Sequence, residues 1–258
     1  ASLPTDVWTP STNNIRPQLA DQVALGVFKN FKNNAYETSV EVYYKESQNQ
    51  VDYIDGAEIL INRFLEGDLL SGVGRAYGAE FYLRKNAGKL NGWVSYTLAR
   101  TELKVDGING GNWYPTRFDQ THNFNLTVSY DYSERWSFSS NFTYITGTPY
   151  TLPSYRYEVQ GFTIPGVEAR NNGRIPDYHR LDLSATWYMK SIKKDGSPKR
   201  LQDYWVFTVY NAYARRNPFS IYFAQTDDLS MAGQAVTQAN QVSILGTFVP
   251  AVSYNFKF

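Results

Sequence analysis

The chain has 258 residues, 25 Lys and Arg against 24 Asp and Glu, and a net charge of +1, so nothing in its charge draws it to nucleic acid. It has no cysteine, which excludes a disulfide framework and thiolate metal sites. Aromatic residues reach 16%, with 21 Tyr and 6 Trp, yet no apolar run approaches the ~20 residues of a spanning helix.

Helical periodicity is absent nearly everywhere, and a period of two recurs. In residues 20–31, Val23, Leu25 and Val27 share one parity, with Ala24 and Gly26 between them. In 35–46, Tyr36, Val40, Val42 and Tyr44 alternate with Glu37, Ser39, Glu41 and Lys45. Residues 73–86 alternate less cleanly around Tyr77, Ala79, Phe81 and Leu83, and 90–103 supply Leu90, Val94, Tyr96 and Leu98. The clearest pair follows. In 118–132, Phe124, Leu126, Val128, Tyr130 and Tyr132 oppose Asn123, Asn125, Thr127, Ser129 and Asp131; in 135–146, Trp136, Phe138, Phe142 and Tyr144 oppose Ser137, Ser139, Asn141 and Thr143. Residues 178–189 place Leu181, Leu183, Ala185 and Trp187 against Arg180, Asp182, Ser184 and Thr186. Residues 203–224 read as one long β-rich segment, and 247–258 closes the chain.

The final strand carries Val252, Tyr254, Phe256 and Phe258 on one face and Ser253, Asn255 and Lys257 on the other. Such an aromatic ending is that of outer-membrane β-barrel proteins, whose assembly machinery reads the last strand; Tyr254, Phe256 and Phe258 are the expected assembly signal.

The spacers sort by length. Short turns fall near Lys32–Asn34, Asn86–Lys89 and Ser133–Glu134, with a longer basic one over Ser191–Leu201; between them lie the long spacers 47–72, 104–117, 147–177 and 225–246. Transmembrane barrels alternate short periplasmic turns with long extracellular loops in this way, which places the C-terminus in the periplasm. A negative mean hydropathy of −0.46 does not argue against a membrane, because barrel strands turn half their residues to a polar lumen. Nine strands do not close a single-chain barrel of this kind, which takes an even number. A secretory leader is also expected of such a protein and none opens this sequence. The expectation is an all-β, transmembrane antiparallel β-barrel, of which residues 1–258 are a C-terminal part.

The same stretches resemble a family. LPTDVWTPSTNNIRPQLADQVALGVFKNF (Leu3–Phe31) resembles the run into a late barrel strand of TonB-dependent outer-membrane receptors of the Bacteroidetes type. GRAYGAEFYLRKNAGKLNGWVSYTLARTE (Gly74–Glu102) is similar to that family's Gly-x-Glu hairpin and Trp-x-x-Tyr-Thr strand. YPTRFDQTHNFNLTVSYDYSERWSFSSNFTYITGTPYT (Tyr114–Thr151) is similar to its Asp-x-x-His strand and Gly-Thr-Pro-Tyr loop start. YHRLDLSATW (Tyr178–Trp187), YNAYARRNPFSIYF (Tyr210–Phe223) and the terminal SYNFKF complete the series in order. The resemblance covers essentially the whole chain. It implies about the last nine strands of a 22-stranded barrel, with a plug domain, early strands and TonB-contacting segment outside this sequence. It implies energised import of a nutrient ligand, no catalytic site and no cofactor. The implied partners are outer-membrane lipid and lipopolysaccharide, the barrel assembly machinery, TonB through the N-terminal region and a surface lipoprotein. A passive porin or a structural barrel subunit of an envelope complex is the alternative, and a soluble carbohydrate-binding β-sandwich a third reading.

Within the loops, Trp113, Tyr114 and Arg117 beside Gly110–Gly111, and Tyr155, Arg156 and Tyr157 in the 147–177 spacer, are the candidate ligand-binding residues, because aromatic and arginine side chains dominate binding surfaces. The competing reading assigns such residues to an aromatic girdle and to lipopolysaccharide contacts. His122 and His179 are expected to make lumen or rim hydrogen bonds, since no carboxylate cluster surrounds either at ligand spacing. Asp119 and Asp182 are expected in lumen salt bridges near Arg117 and Arg180. No nucleophile elbow, phosphate-cradling glycine loop or HExxH motif occurs, so no enzyme is expected.

Overall fold

The computed structural model describes residues 10–57, 62, 64–160, 162–190, 192, 201–229 and 235–257. Phe258 of the expected assembly signal and most of the basic turn after residue 190 lie outside these residues. In chain order the strands are β1 (Leu19–Phe31), β2 (Tyr36–Tyr53), β3 (Leu69–Lys85), β4 (Leu90–Val105), β5 (Tyr114–Pro115), β6 (His122–Ser133), β7 (Trp136–Ile145), β8 (Pro149–Tyr150), β9 (Tyr155–Val159), β10 (Phe162–Gly166), β11 (Gly173–Arg174), β12 (Tyr178–Tyr188), β13 (Gln202–Tyr210), β14 (Ser220–Leu229), β15 (Ala235–Val242) and β16 (Val249–Lys257).

Nine of them pair in one antiparallel sheet in the order β1-β2-β3-β4-β6-β7-β12-β13-β16, with β5 added on β4. The sheet is open, its edges being β1 and β16. This is a curtain of wall rather than two packed layers, which removes the soluble sandwich reading. Buried apolar side chains among the described residues cluster at Leu65, Val105, Ile108 and Tyr114, at one end of the wall, while Val42, Phe81, Leu98, Phe138 and Val252 along it stay exposed. No helix among the described residues is long and apolar enough to cross a membrane, which says nothing of strands.

Register carries one apolar face across the whole sheet, because residues opposite each other in a ladder point the same way. Leu25 faces Val42, Val42 faces Ala79, Ala79 faces Leu98. Leu126 faces Phe142, and Phe142 faces Leu181. Phe138 faces Ala185, Ala185 faces Phe207, and Phe207 faces Val252. The other face aligns Asn125 with Thr143 and Arg180, and Thr127 with Asn141 and Asp182. A one-residue slip in any ladder would mix the two faces; none occurs within the apolar band.

That face is bounded by aromatics at both ends, as membrane-interface girdles are. At one end Trp136, Trp187, Trp205 and Tyr254 stand directly opposite one another in four successive strands. The Trp136 and Trp187 rings stack 5.9 Å apart, and Trp205 lies 4.9 Å from Tyr254. At the other end Tyr44 stacks on Tyr77, Tyr96 on His122, and Tyr144 on His179. On β12 the span from His179 to Trp187 is about 26 Å at ~3.3 Å per residue, the length a tilted barrel strand needs.

Three short connections lie at one end. Residues 32–35, 86–89 and 134–135 join β1 to β2, β3 to β4 and β6 to β7 beside the tryptophan girdle; long segments join strands at the far end. The first turn closes through Lys32, Asn33 and Asn34 at φ of +50°, +55° and +66°, where asparagine's short polar side chain tolerates the left-handed region. Gly92 takes φ +147° in β4, and a Cβ there would lie 2.1 Å from the Thr127 carbonyl, so β4 and β6 approach at a distance only glycine permits.

Three expectations are corrected. β2 and β3 run on to Tyr53 and back from Leu69, so both ends of the 47–72 spacer are paired strand. A bulge between Ser47 and Gln50, with Asn49 at φ +56°, shifts the parity there and hides the continuation. The 203–224 segment is not one strand: β13 stops at Tyr210, and β14 pairs with β15 in a separate hairpin that fills much of the 225–246 spacer. Asn211 at φ +55° and Ala214 at φ +54° make the break.

Candidate functional site

The long connections form an interlocked mouth at the end opposite the tryptophans. Its apolar centre is Val105, Ile108 and Tyr114, packed with Leu70 and Leu103. Tyr114, 2% exposed, is held by β5 opposite Leu103 and donates its hydroxyl to Asp52 at 2.7 Å. Burial, then the Asp52 hydrogen bond and charge, push the Tyr114 phenol well above its ordinary value, so it stays a neutral donor.

Arg170 closes this centre from the 146–177 connection. Its guanidinium contacts Asp52 at 2.7 Å and Asp55 at 2.5 Å and donates to the Tyr53 carbonyl at 2.6 Å. Burial pulls its pKa down, but the two carboxylates more than offset this and leave it raised. The backbone locks as well: Arg170 N–H donates to Asn109 Oδ1 at 2.7 Å, Asn109 Nδ2 returns to the Arg170 carbonyl at 3.2 Å, and Asn171 Nδ2 reaches Pro115 O at 2.8 Å.

A second clamp sits beside it. Asp119, 1% exposed, accepts from Arg174, from the Thr101 N–H at 2.7 Å and from Arg100 at 3.5 Å. Arg174 also donates to the carbonyls of Asp119 at 3.1 Å and Gly147 at 2.9 Å. Asp177 accepts from the Tyr144 hydroxyl at 2.6 Å and the Gly147 N–H at 3.0 Å, and these two bonds hold its carboxyl below the ordinary range. Asn211, also 1% exposed, ties the end of β13 to the start of β16 through the carbonyls of Arg215 at 3.0 Å and Thr247 at 3.1 Å.

Between the Arg174 and Arg170 anchors and the Pro149–Tyr150 segment rises the β9–β10 hairpin. Tyr155 and Tyr157 are 54% and 48% exposed, on one side of β9, with ring centroids 6.4 Å apart; Arg156 points to the other side. The β14–β15 hairpin stands next to this connection, with Phe223 stacked on Tyr150 at 6.1 Å.

The six candidate residues therefore separate. Tyr155, Arg156 and Tyr157 share the β9–β10 hairpin. Tyr114 is an internal anchor of the mouth, and Arg117 lies over the Phe118 ring at 4.7 Å. Trp113 is on the other side of the wall: its ring covers Arg75 at 4.1 Å on the face that continues the apolar band. Asp52 and Asp55 were not singled out by sequence, being inside a segment read as loop. Asp119 pairs with Arg174 and Arg100 rather than with Arg117, whereas Arg180 and Asp182 do pair, at 3.0 Å. His122 and His179 sit at the rim, on the apolar parity, with Nδ1 2.8 Å from the Tyr96 hydroxyl and 2.7 Å from that of Tyr213. Among the described residues no group of three His, Cys, Asp or Glu side chains is arranged to hold a metal.

Comparison with known structures agrees with this architecture. The outer-membrane ferripyoverdine receptor of Pseudomonas aeruginosa superposes with a TM-score of 0.57 at 13% identity, over 99% of this chain and 30% of that one. The ferric-catecholate import receptor Fiu of E. coli K12 gives 0.57 at 14%, over 97% and 30%, and the FrpB iron transporter of Neisseria meningitidis 0.54 at 10%, over 96% and 32%. The likeness is one of fold, and the chain spans about a third of the length of these proteins. No curated protein matches by sequence. The family described as "TonB dependent receptor-like, beta-barrel" matches residues 4–230, and the chain belongs to that family.

Proposed function

We propose that this chain is the C-terminal wall and part of the mouth of an energised outer-membrane importer of a nutrient ligand, of the type found in Bacteroidetes. The observation that carries the reading is the register: one apolar face, girdled by aromatics at both ends, runs unbroken through nine strands of a chain in the TonB-dependent receptor family. In this reading the short turns and the C-terminus are periplasmic, and Tyr254, Phe256 and Phe258 are read by the barrel assembly machinery. TonB is engaged by a segment outside this sequence.

Tyr155, Arg156 and Tyr157 are our candidates to meet a ligand arriving from outside, because their hairpin exposes two aromatic rings beside the clamped part of the mouth. The solved neighbours are iron and ferric-chelate receptors, which makes a metal chelate the first class to try. The experiment is uptake of labelled ferric chelates by cells carrying the full-length receptor, with and without a proton-motive force. Energised import predicts uptake that stops when the gradient is dissipated. Uptake that continues unchanged would overturn this reading in favour of a passive pore; no observation on the molecule favours that alternative now.

A further inference from the structure

The polar face of the wall holds a cleft under the mouth. It encloses about 400 Å³ and is lined by Lys45, Ser47, Gln50 and Thr101 over a floor that includes Gly74 and Ala76. Register brings these groups together. Lys45 lies opposite Gln22 and Ala76, and Ala76 opposite Thr101; one row further along, Ser47 lies opposite Ala20 and Gly74. The bulge between Ser47 and Gln50 turns Gln50 onto the same face. Gly74 and Ala76 leave the floor nearly bare: a Cβ on Gly74 would already lie 3.1 Å from Leu103 Cδ2 and 3.2 Å from Gln50 Cγ. Leu103, packed on the buried core of Val105, Ile108 and Tyr114, closes the end nearest the mouth.

Charge sets this cleft apart. The neighbouring arginines are matched, Arg170 by Asp52, Arg174 by Asp119 and Arg75 by Glu102. Lys45 is half-buried, yet among the described residues it has neither an ion pair nor a hydrogen bond. On its own face of β2 the nearest carboxylates are Glu41, four residues or about 13 Å along the strand, and Asp52, which Arg170 already holds. The side chains of Ser47, Gln50 and Thr101 are also unengaged among the described residues, so the cleft offers one cation and several neutral donors. That set satisfies a monoanion. A phosphate dianion calls for more cation than one ammonium, and an uncharged ligand would leave the ammonium unmatched. The hydroxyls and amide around Lys45 can both donate and accept, which suits a ligand body bearing hydroxyls of its own.

We propose that this cleft is a subsite for the carboxylate of a hydroxylated organic acid, or of a ligand that carries one, with Lys45 as its cationic partner. As a step on the path of imported cargo, it rests on the import reading. The test uses the full-length receptor in detergent and follows limited reductive methylation of Lys45 by peptide mass spectrometry. Lys104, exposed on the opposite face of the wall, is the internal control. The probes are gluconate, its uncharged amide gluconamide, and inorganic phosphate, all at one ionic strength held with sodium chloride. Gluconate should slow methylation of Lys45 saturably, by about threefold at twice its dissociation constant, and leave Lys104 unchanged. Gluconamide and phosphate should protect far less. Ala76→Leu fills the floor and should abolish protection while Lys45 still reacts. Thr101→Val keeps the side-chain shape, guards against a folding defect in the leucine variant, and should weaken gluconate binding about fivefold, the weight of one hydrogen bond. Absence of saturable protection by gluconate would overturn the proposal. So would protection by gluconamide or phosphate as strong as that by gluconate, or full protection in both variants. Protection is read without transport, so this result stands apart from whether uptake follows the proton gradient.

Discussion

Arg174 and Asp119 form a clamp between the long 146–177 connection and the start of β6, on a carboxylate with no side-chain exposure to solvent. With Arg170 on Asp52 and Asp55, it fixes the C-terminal side of the β9–β10 hairpin, and the pairing of β8 with β11 ties the N-terminal side to it. The mouth is thus braced beneath the β9–β10 hairpin.

Removing the Arg174 partner leaves Asp119 buried with Arg100 at 3.5 Å as its nearest remaining cation. Loss of one member of a fully buried pair costs about 3–5 kcal/mol, and the part-exposed Arg174 with Arg100 still present brings the expected cost to roughly 2–3 kcal/mol. Arg174→Ala should raise amide exchange across the 146–177 connection while leaving the wall protected. Exchange confined to wild-type levels would show that the clamp carries no weight.

The apolar face predicts an asymmetry between neighbours. Val128 lies on it, opposite Gly92 and Ser140, whereas Thr127 donates to Asn141 at 2.9 Å on the polar face. Arginine toward lipid costs about 2–4 kcal/mol near the midplane and little in a wet lumen. Val128→Arg should depress the amount of assembled receptor in the membrane far more than Thr127→Arg. Equal levels would reverse the facing.

Gly147 is a steric requirement of the mouth: a Cβ there would lie 1.7 Å from the Ile175 carbonyl. Gly147→Ala should break the β8–β11 pairing and the Gly147 N–H bond to Asp177. Limited proteolysis should then cut the 146–177 connection at least severalfold faster, with the β12–β13 pairing intact. Wild-type resistance would contradict the geometry.

Asp177 supplies a pH dependence of known sign. Its carboxyl is held below the ordinary value of 3.8 by the Tyr144 and Gly147 hydrogen bonds. A depressed folded-state pKa stabilises above the unfolded value and is lost as pH falls through the folded one. The mouth should therefore hold from neutral pH down to the ordinary carboxylate range and loosen only in stronger acid. Amide protection at Gly147, corrected for intrinsic rate, should fall below pH 3.8 in wild type and not in Asp177→Asn. A loss already complete at pH 6 would be inconsistent with this assignment.

The nine wall strands were legible because each must show lipid and lumen on alternate residues, and that constraint writes itself into single strands such as Phe124–Tyr132. What failed to show lies where the constraint lapses. Beyond the girdle the outer side of β2 and β3 turns charged, with Glu46 opposite Arg75, and the bulge at Asn49 breaks the phase, so Asp52 looked like loop. The partner of Asp119 was misread because Arg174 lies 55 residues away and meets it only through loop packing. Trp113 and Tyr114 are adjacent in sequence yet lie on opposite sides of the wall, since β5 gives them opposite parity.

The most direct test of the account is a cysteine scan along β12 in the full-length receptor, reconstituted in lipid; these 258 residues contribute no native thiol. Single cysteines at Leu181, Leu183 and Ala185 should be quenched by a lipid-phase reagent, and those at Asp182, Ser184 and Thr186 by a water-soluble one, in strict alternation. Uniform aqueous access at all six positions would contradict a membrane wall.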